Sequence, residues 1–265
     1  MTPTTAGLLA ELFHDLGLPP GVFNVVHGTG PSAGQALIEH KDVSAISFTG
    51  GTFTGAIVAS TAGRTFKKLS LELGGKNPNV IFAGRCFVAF DEIMLMFRSF
   101  SFAVDCDLER AVETSVMSSF ANSGQICLCG SRILVEATIY EEFLEKFVSK
   151  VKNSVVVGLP SDASTTMGSV ISMQHLTKIE GMVQDAVDQG GKVMLGGKRP
   201  SAEWATSGAF YEPTIITGLS QSCSTIQEEI FGPVVTVQSF QNDAEALELA
   251  NGVRCVILID VVFMF

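Results

Sequence analysis

The chain is poor in basic residues. Lysine and arginine together number 17 against 27 aspartates and glutamates, so the 265 residues carry a formal charge of -10. Nucleic acids and anionic membranes recruit basic surfaces, and this balance therefore argues against both as partners. Charged residues make up only 17% of the chain and hydrophobic residues 46%. That composition excludes a disordered or fibrous protein and predicts a buried core.

Cysteine and histidine are also scarce. Six cysteines are too dilute for a disulfide scaffold in a chain of 265 residues, and residues 1–10 lack the basic and apolar stretches of an export signal. We therefore expect reduced thiols and a cytoplasmic location. The four histidines form no cluster and no Cys-x-x-Cys pair occurs, so no metal site is predicted.

The sequence has no uninterrupted apolar run of about 20 residues, the length that crosses a membrane. Two unusually apolar segments break the pattern of the rest. Residues 84–104 contain five phenylalanines among four charged side chains, and residues 255–265 contain ten apolar residues around one aspartate. Charges in the first and the shortness of the second argue against membrane spans, so no membrane partner is expected.

The remaining chain alternates between helical and strand patterns. Strand, glycine-rich turn, helix and strand in succession predict an α/β fold with a parallel sheet. The predicted helices cover residues 5–16, 32–40, 52–62, 108–122, 139–153, 173–189 and 243–250. The predicted strands cover residues 22–26, 43–48, 68–73, 79–82, 131–135, 214–217 and 234–240.

Cys127 is a candidate nucleophile because it follows a glycine-containing loop, Asn122-Ser123-Gly124-Gln125-Ile126. A thiol in such a place can be exposed, with its own N–H free to hold an oxyanion. A buried structural thiol is the alternative, and it is the more common fate of a free cysteine.

Glu72 is a candidate general base at the end of a predicted strand, between two leucines and before Gly74-Gly75. Partial burial there would raise its pKa toward the range that a base needs. The alternative is a salt-bridged carboxylate at a strand terminus. Two glycine-rich turns, at residues 28–34 and 48–51, lie between strand and helix, where N–H groups can meet phosphate. Such turns also occur without any nucleotide.

Four motifs occur in order: FTGG (48–51), LELGGKNP (71–78), FANSGQIC (120–127) and EEIFGPV (228–234). Together they resemble the aldehyde dehydrogenase superfamily, over residues 4–254 apart from 84–104. The resemblance implies an α/β fold with two incomplete domains. Residues 1–75 would be part of a Rossmann-like, parallel-sheet NAD-binding domain, and residues 76–265 part of an α/β catalytic domain. Family members form homo-oligomers.

The resemblance implies a role for each matching residue. Cys127 would be the nucleophile and Glu72 the general base. The cofactor would be NAD, held by residues of both predicted domains, namely Gly30, Gly34, Thr49, Gly50, Gly51, Leu73, Glu229 and Phe231. The implied substrate is a small aldehyde, oxidised to a carboxylic acid through a thioester on Cys127. Within the family, the segments around Cys127 and Glu72 are most similar to a branch that acts on semialdehydes, and Cys129 contributes to that similarity.

Several features depart from the family. Family members have earlier segments that complete the oxyanion hole and bind the adenine ribose, and a later segment that completes the substrate pocket and the oligomer. Gly51 stands where a serine is usual. We therefore expect an incomplete chain in which 84–104 and 255–265 are translated intron, an idea that sequencing the transcript across both junctions tests.

Two functions stay open at this point. One is NAD-dependent aldehyde oxidation, and the other is an inactive fragment that at most binds nucleotide or a full-length relative. A cysteine hydrolase is a third and weaker alternative, because no histidine is placed in the sequence to pair with Cys127.

Overall fold

The computed structural model describes residues 3–83 and 108–254, together with the backbone of residues 260–263. The chain forms two compact units, the first ending at Leu73 and the second beginning at Gly74. The segment 84–104 lies outside the described residues, and so does 255–265 apart from the backbone of 260–263. The domain boundary at residue 75 stays a prediction.

The first unit contains three α-helices and one pair of strands. They are α1 (Thr4–Asp15), α2 (Gln35–Glu39), β1 (Ala45–Thr49), α3 (Thr52–Gly63) and β2 (Lys68–Glu72). The two strands are parallel, with Ala45 opposite Lys68 and Thr49 opposite Glu72. Because the register runs to the last residue of each strand, both carboxyl ends lie at the same edge of the sheet. In α/β sheets this is the edge where ligands bind.

The apolar residues of the first unit are mostly exposed. Helix α1 buries none of its residues, although its leucines recur at helical spacing. Five residues of the unit's described part are buried: Ile38, Gly55, Val58, Ala62 and Lys67. The predicted strand at 22–26 is wrong, because this segment pairs with no neighbour among the described residues and lies open to solvent. A strand needs a hydrogen-bonded neighbour, which an apolar pattern alone does not supply.

The second unit is built on a six-stranded sheet. Its elements are β3 (Pro78–Phe82), α4 (Leu108–Phe120), β4 (Arg132–Glu136), α5 (Tyr140–Ser154), α6 (Met173–Asp188), β5 (Lys192–Leu195), β6 (Thr214–Thr217), α7 (Ser224–Gln227), β7 (Val234–Phe240), α8 (Asp243–Asn251) and β8 (Asp260–Phe263). The strand order is β5-β6-β7-β4-β3-β8, and every neighbouring pair is parallel except β5 and β6. The α/β fold with parallel strands is therefore confirmed.

Strands β3, β4 and β6 are buried along almost their whole length. Such strands read as continuous apolar runs because helices cover both faces of a parallel sheet. On one side α4 and α5 pack around Phe143 and Phe147, whose rings stack with centroids 5.5 Å apart. A second apolar cluster surrounds α6, and a third lies against α8.

Most predicted elements lie within a few residues of the observed ones. Three short elements were not predicted: β5, a four-residue edge strand with a bulge, α7, a single helical turn, and β8 in the tail. The predicted helix at 32–40 begins as a π-helical turn, Gly30–Gly34, before α2. Residues 260–263 of the unusual tail pair in parallel with β3. None of the helices in the described parts of the chain is both long and apolar enough to span a membrane.

Candidate active site around Cys127

A left-handed turn carries the chain from α4 to Cys127. Asn122, Ser123 and Gly124 have φ angles of 50°, 58° and 68°. A Cβ on Gly124 would lie 2.1 Å from the carbonyl oxygen of Gly232, so only glycine permits this approach to the EEIFGPV segment. Cys127 follows the turn and is half-buried. The thiol is therefore not the fully buried structural cysteine of the alternative interpretation.

Asn77 of the LELGGKNP motif fixes the loop on both sides of Leu128. Its amide Nδ2 donates to the carbonyl oxygen of Cys127 at 2.7 Å and to that of Cys129 at 3.3 Å. Among the described residues, no group accepts a hydrogen bond from the Cys127 N–H. This N–H is available to an oxyanion formed beside the thiol.

Cys129, the second thiol of the loop, is buried. Burial raises its pKa to about 11, with a smaller contribution from the neighbouring Cys127. The thiol therefore stays protonated at neutral pH, which favours the packing role over a chemical one.

Glu229 of EEIFGPV reaches back to the LELGGKNP segment. Its Oε1 accepts a hydrogen bond from the N–H of Gly75 at 3.1 Å. A Cβ on Gly74 would lie 2.3 Å from Oε2, so the two glycines let the carboxylate rest directly on the backbone.

Two side chains of α6, one helical turn apart, bind the backbone of EEIFGPV. His175 Nε2 lies 2.6 Å from the carbonyl oxygen of Phe231, and Lys178 Nζ donates to that of Glu229 at 3.2 Å. Phe231 has a φ of 57°, which a non-glycine residue keeps only when its surroundings hold it there. His175 thus acts on Phe231 and is not hydrogen-bonded to Cys127, which weighs further against a Cys–His hydrolase.

A small cleft joins these three motifs. Its walls are Gly75, Ser119, Gly124, Ile126, Cys129, Ser131, Glu229, Ile230, Phe231, Gly232 and Val234. Residues separated by more than 150 positions in the sequence therefore meet beside the neighbours of Cys127.

Two buried basic residues, Lys76 and Arg132, directly follow residues of the cleft wall in the sequence. Arg132 donates to the carbonyl oxygens of Lys76, Leu249 and Ala250 at 2.7–2.9 Å and so ties the LELGGKNP segment to the end of α8. Lys76 is completely buried, and its Nζ has no hydrogen-bond partner among the described residues. Burial and, to a smaller extent, the charge of Arg132 lower the pKa of Lys76 to about 7.

In the first unit, three predicted cofactor residues, Thr49, Gly50 and Gly51, lie at the end of β1 and the start of α3. The Gly50 N–H donates to the carbonyl oxygen of Glu72 at 3.0 Å. No side chain caps the N-terminus of α3, and the space where a Cβ on Gly51 would lie is open. An uncapped helix N-terminus presents N–H groups that suit a phosphate.

The other predicted residues of this unit are placed less distinctively. Leu73 packs its side chain on Gly55 of α3. Gly30 and Gly34 bound the π-helical turn and face open space. Glu72 is exposed, so the predicted partial burial is wrong. Within the described part of the chain, its strand β2 pairs with β1 alone, which leaves the carboxylate open to solvent.

Sequence reasoning missed several contributors to this site: Lys76, Asn77, Arg132, His175 and Lys178. A lysine and an asparagine directly after two glycines, inside a specific motif, were the available signal for the first two. His175 and Lys178 carried no motif. Among the described residues, no group of three His, Cys, Asp or Glu side chains could hold a metal ion.

Fold and site together define an α/β protein with a cysteine nucleophile candidate on a glycine-containing loop. A profile of the Aldehyde dehydrogenase family matches residues 1–86 and 99–256. The chain therefore belongs to the aldehyde dehydrogenase family. The gap in the match, 87–98, falls inside the segment 84–104 that the sequence sets apart.

Similar proteins agree with this assignment. The chain is 43% identical over 257 residues to 2-aminomuconic semialdehyde dehydrogenase of Danio rerio and 43% identical over 253 residues to 2-hydroxymuconic semialdehyde dehydrogenase of Pseudomonas sp. (strain CF600). These alignments cover 96% and 94% of this chain but 48% and 47% of the relatives. The first of the two names is the semialdehyde-acting branch that the motif segments resemble.

A solved structure gives the same picture of the fold. Betaine aldehyde dehydrogenase of Staphylococcus aureus, in complex with NAD+, superposes with a TM-score of 0.84 at 38% identity. The match covers 95% of this chain and 46% of that one. The chain spans about half the length of the curated relatives it matches.

Proposed function

We propose that this chain carries the catalytic and cofactor-binding elements for NAD-dependent oxidation of an aldehyde to a carboxylic acid. The supporting observation is the meeting of three motifs beside Cys127. Asn77 holds the carbonyls of Cys127 and Cys129, and Glu229 rests on the backbone of Gly75. Neither contact follows from general α/β packing, and both join segments that the family resemblance assigns to catalysis and cofactor binding.

Each unit has residues whose chemistry suits a part of a dinucleotide. In the first unit, Thr49, Gly50 and Gly51 lead into the uncapped N-terminus of α3, whose N–H groups suit a pyrophosphate. In the second unit, the Glu229 carboxylate lies in the wall of a cleft with Phe231 and can accept hydrogen bonds from ribose hydroxyls. We assign the adenine side to Gly30 and Gly34 and the nicotinamide amide to the backbone of Leu73.

The proposed steps use the chain's own residues and NAD+, and none of them needs a metal ion. The Cys127 thiolate forms a bond to the aldehyde carbon, and the carbonyl oxygen becomes an oxyanion that the Cys127 N–H holds. When bound, NAD+ would accept the hydride from this carbon, and the carbon would then be the acyl carbon of a thioester with Cys127. Glu72 takes a proton from the water that attacks this thioester, which releases the carboxylic acid and the thiol.

We further propose that the substrate is the semialdehyde of an unsaturated dicarboxylic acid. The two relatives at 43% identity have names of this kind. The betaine aldehyde dehydrogenases, at 39% and 38% identity, make betaine aldehyde the natural comparison substrate.

The test is NADH production by the purified chain with NAD+ and a panel of muconic semialdehydes and betaine aldehyde. Cys127→Ala is the inactive variant, and Cys129→Ala is the matched control on the same loop. Turnover that is lost in the first variant and kept in the second supports the proposal. Turnover that survives Cys127→Ala, or none from a folded sample, contradicts it.

A second function is a catalytically inactive family member that binds nucleotide or a full-length relative. The observation favouring it is the exposure of apolar residues in the first unit, including Leu8, Leu12 and Phe53. Exposed apolar surface of this kind commonly marks an interaction site. NAD+ binding without turnover, together with co-elution with a full-length relative in size-exclusion chromatography, would support this function over the first.

A further inference from the structure

The side chain of Lys76 is unfavourable for the folding free energy of the second unit. It is completely buried, and its Nζ has no hydrogen-bond partner in the described part of the chain. An ammonium buried in this way loses its hydration without replacement. Methionine would fill similar space with no charge to bury. The lysine therefore lowers stability, and its presence calls for an effect of its charge elsewhere.

Arg132 does not offset the cost of burying the Lys76 ammonium. Its guanidinium is itself buried and is occupied by the carbonyl oxygens of Lys76, Leu249 and Ala250. Its positive charge repels the ammonium, and so does that of Lys178.

The negative charge that attracts the ammonium most strongly is the Glu229 carboxylate. The same carboxylate rests on the two residues that precede Lys76 in the chain. It accepts the Gly75 N–H at 3.1 Å, and a Cβ on Gly74 would lie 2.3 Å from its Oε2. Lys76 and the backbone that the Glu229 carboxylate contacts therefore belong to one short segment, residues 74–76.

We propose that Lys76 is a positioning residue whose buried positive charge holds the Glu229 carboxylate against the Gly74–Gly75 backbone. The relevance of this anchor to the cofactor rests on the proposed function, in which Glu229 binds the nicotinamide ribose. The ammonium attracts the carboxylate, while the N–H of Gly75 fixes its direction. Lys76 itself, fully enclosed, touches neither cofactor nor substrate.

A double-mutant cycle on the full chain tests the anchor without any cofactor. The four proteins are the unaltered chain, Lys76→Met, Glu229→Gln and the double variant. Trp204 is the only tryptophan and packs edge-on against Phe210 in the second unit, so its fluorescence reports the unfolding of that unit. At pH 6 we expect Lys76→Met to raise the thermal midpoint by about 4 °C. Glu229→Gln should lower the thermal midpoint by about 4 °C in the chain that keeps Lys76 and by about 1 °C or less in the Lys76→Met background.

Two controls separate this from a merely structural role. Lys152→Met removes an exposed lysine of α5 and should leave the midpoint and the effect of Glu229→Gln unchanged to within about 1 °C. At pH 9 the coupling should vanish, because Lys76, whose pKa burial lowers to about 7, is then neutral. Additive effects of the two substitutions at pH 6 would overturn the proposal, and so would a coupling that is equally large at pH 9.

The same four proteins connect the anchor to the cofactor. At pH 6, Lys76→Met should weaken NAD+ binding by about tenfold, although it makes the unit more stable, and should cause no further loss in the Glu229→Gln background. If the unaltered chain binds no NAD+, the proposed function fails, and the coupling in the thermal midpoint decides the Lys76 proposal by itself.

Discussion

The two units share an α/β arrangement and differ in how much of it they bury. In the first, both strands are largely exposed and α1 buries none of its residues. In the second, β3 is buried at every position, and three apolar clusters surround the sheet. The same succession of strand, turn and helix thus occurs in one unit that buries few residues and in another that buries many.

The difference teaches that pattern and burial are separate properties. Periodicity predicts which residues could face a core, but stability comes from the area that is removed from water. We therefore expect the second unit to carry most of the chain's cooperative stability. The first unit offers binding geometry at the ends of β1 and β2 on a weakly stabilised frame.

The largest expected contrast is between two phenylalanines. Phe147 is fully buried and stacks with Phe143 and Phe120, so Phe147→Ala should cost about 4 kcal/mol. Phe53, on α3 of the first unit, is 81% exposed, and Phe53→Ala should cost less than about 0.5 kcal/mol. Denaturant unfolding followed by circular dichroism checks both. Equal losses would erase the distinction between the units.

A second contrast concerns two asparagines that hold backbone carbonyls. Asn77→Ala removes the donor to the carbonyls of Cys127 and Cys129 and should cost about 2 to 3 kcal/mol. Asn24→Ala removes an exposed bond to the carbonyl of Gly21 and should cost under about 0.5 kcal/mol. Urea unfolding measures both. A neutral Asn77→Ala would mean that the Cys127 loop holds its shape by other contacts.

A third contrast concerns two enclosed lysines. The pKa of Lys76 is about 7 in the folded chain, so the unfolded chain binds a proton that the folded one lacks, and stability rises with pH. Between pH 7 and 9 the free energy of unfolding should gain about 2 kcal/mol from this residue. Lys76→Met should abolish that gain.

Lys67 of the first unit is the comparison. Its Nζ donates to the carbonyl oxygens of His40 and Val43, so Lys67→Met should destabilise its unit while leaving the pH-dependent gain intact. Urea midpoints at pH 7, 8 and 9 test this. The raised pKa of Cys129 acts in the opposite direction from about pH 8.5 upward, where the unfolded thiol loses its proton, and this contribution is common to all the variants. An unchanged gain in Lys76→Met would contradict the assignment.

The smallest contrast is between helix N-termini. Ser172 caps α6 by accepting the N–H of His175 at 3.1 Å, so Ser172→Ala should cost about 1 kcal/mol. At α3 the N-cap is Gly51, and Gly51→Ser should add about 0.3 kcal/mol. Thermal unfolding followed by circular dichroism can measure the loss expected for Ser172→Ala and sets an upper limit on the gain expected for Gly51→Ser. If Gly51→Ser raises stability by more than Ser172→Ala lowers it, this prediction is wrong.

Much of the fold could be predicted because parallel strands are locally recognisable. Strands β6 and β7 appear at their predicted positions, since apolar runs between turns suit a covered sheet. The predicted strand at 22–26 failed because its pattern says nothing about the neighbour it needs. The edge strand β5 was missed because four residues and a bulge give too short a periodic signal.

The candidate site was predictable only in part. Motif resemblance supplied Cys127, Glu229 and Phe231, but the contacts between their segments span more than 100 residues and carry no local signal. The exposure of Glu72 could not be read from its leucine neighbours, because burial at a strand end depends on the next strand. Lys76 was missed because a lysine in a polar motif looks like a surface residue.

The most direct test of the account is to find where the substrate becomes attached. The chain is mixed with NAD+ and a muconic semialdehyde, quenched with acid within one turnover and digested, and its peptides are weighed by mass spectrometry. We predict an acyl group on the peptide that contains Cys127, absent without NAD+ and absent in Cys127→Ala. An acyl group on another residue, or NADH formed with none on Cys127, would contradict the account.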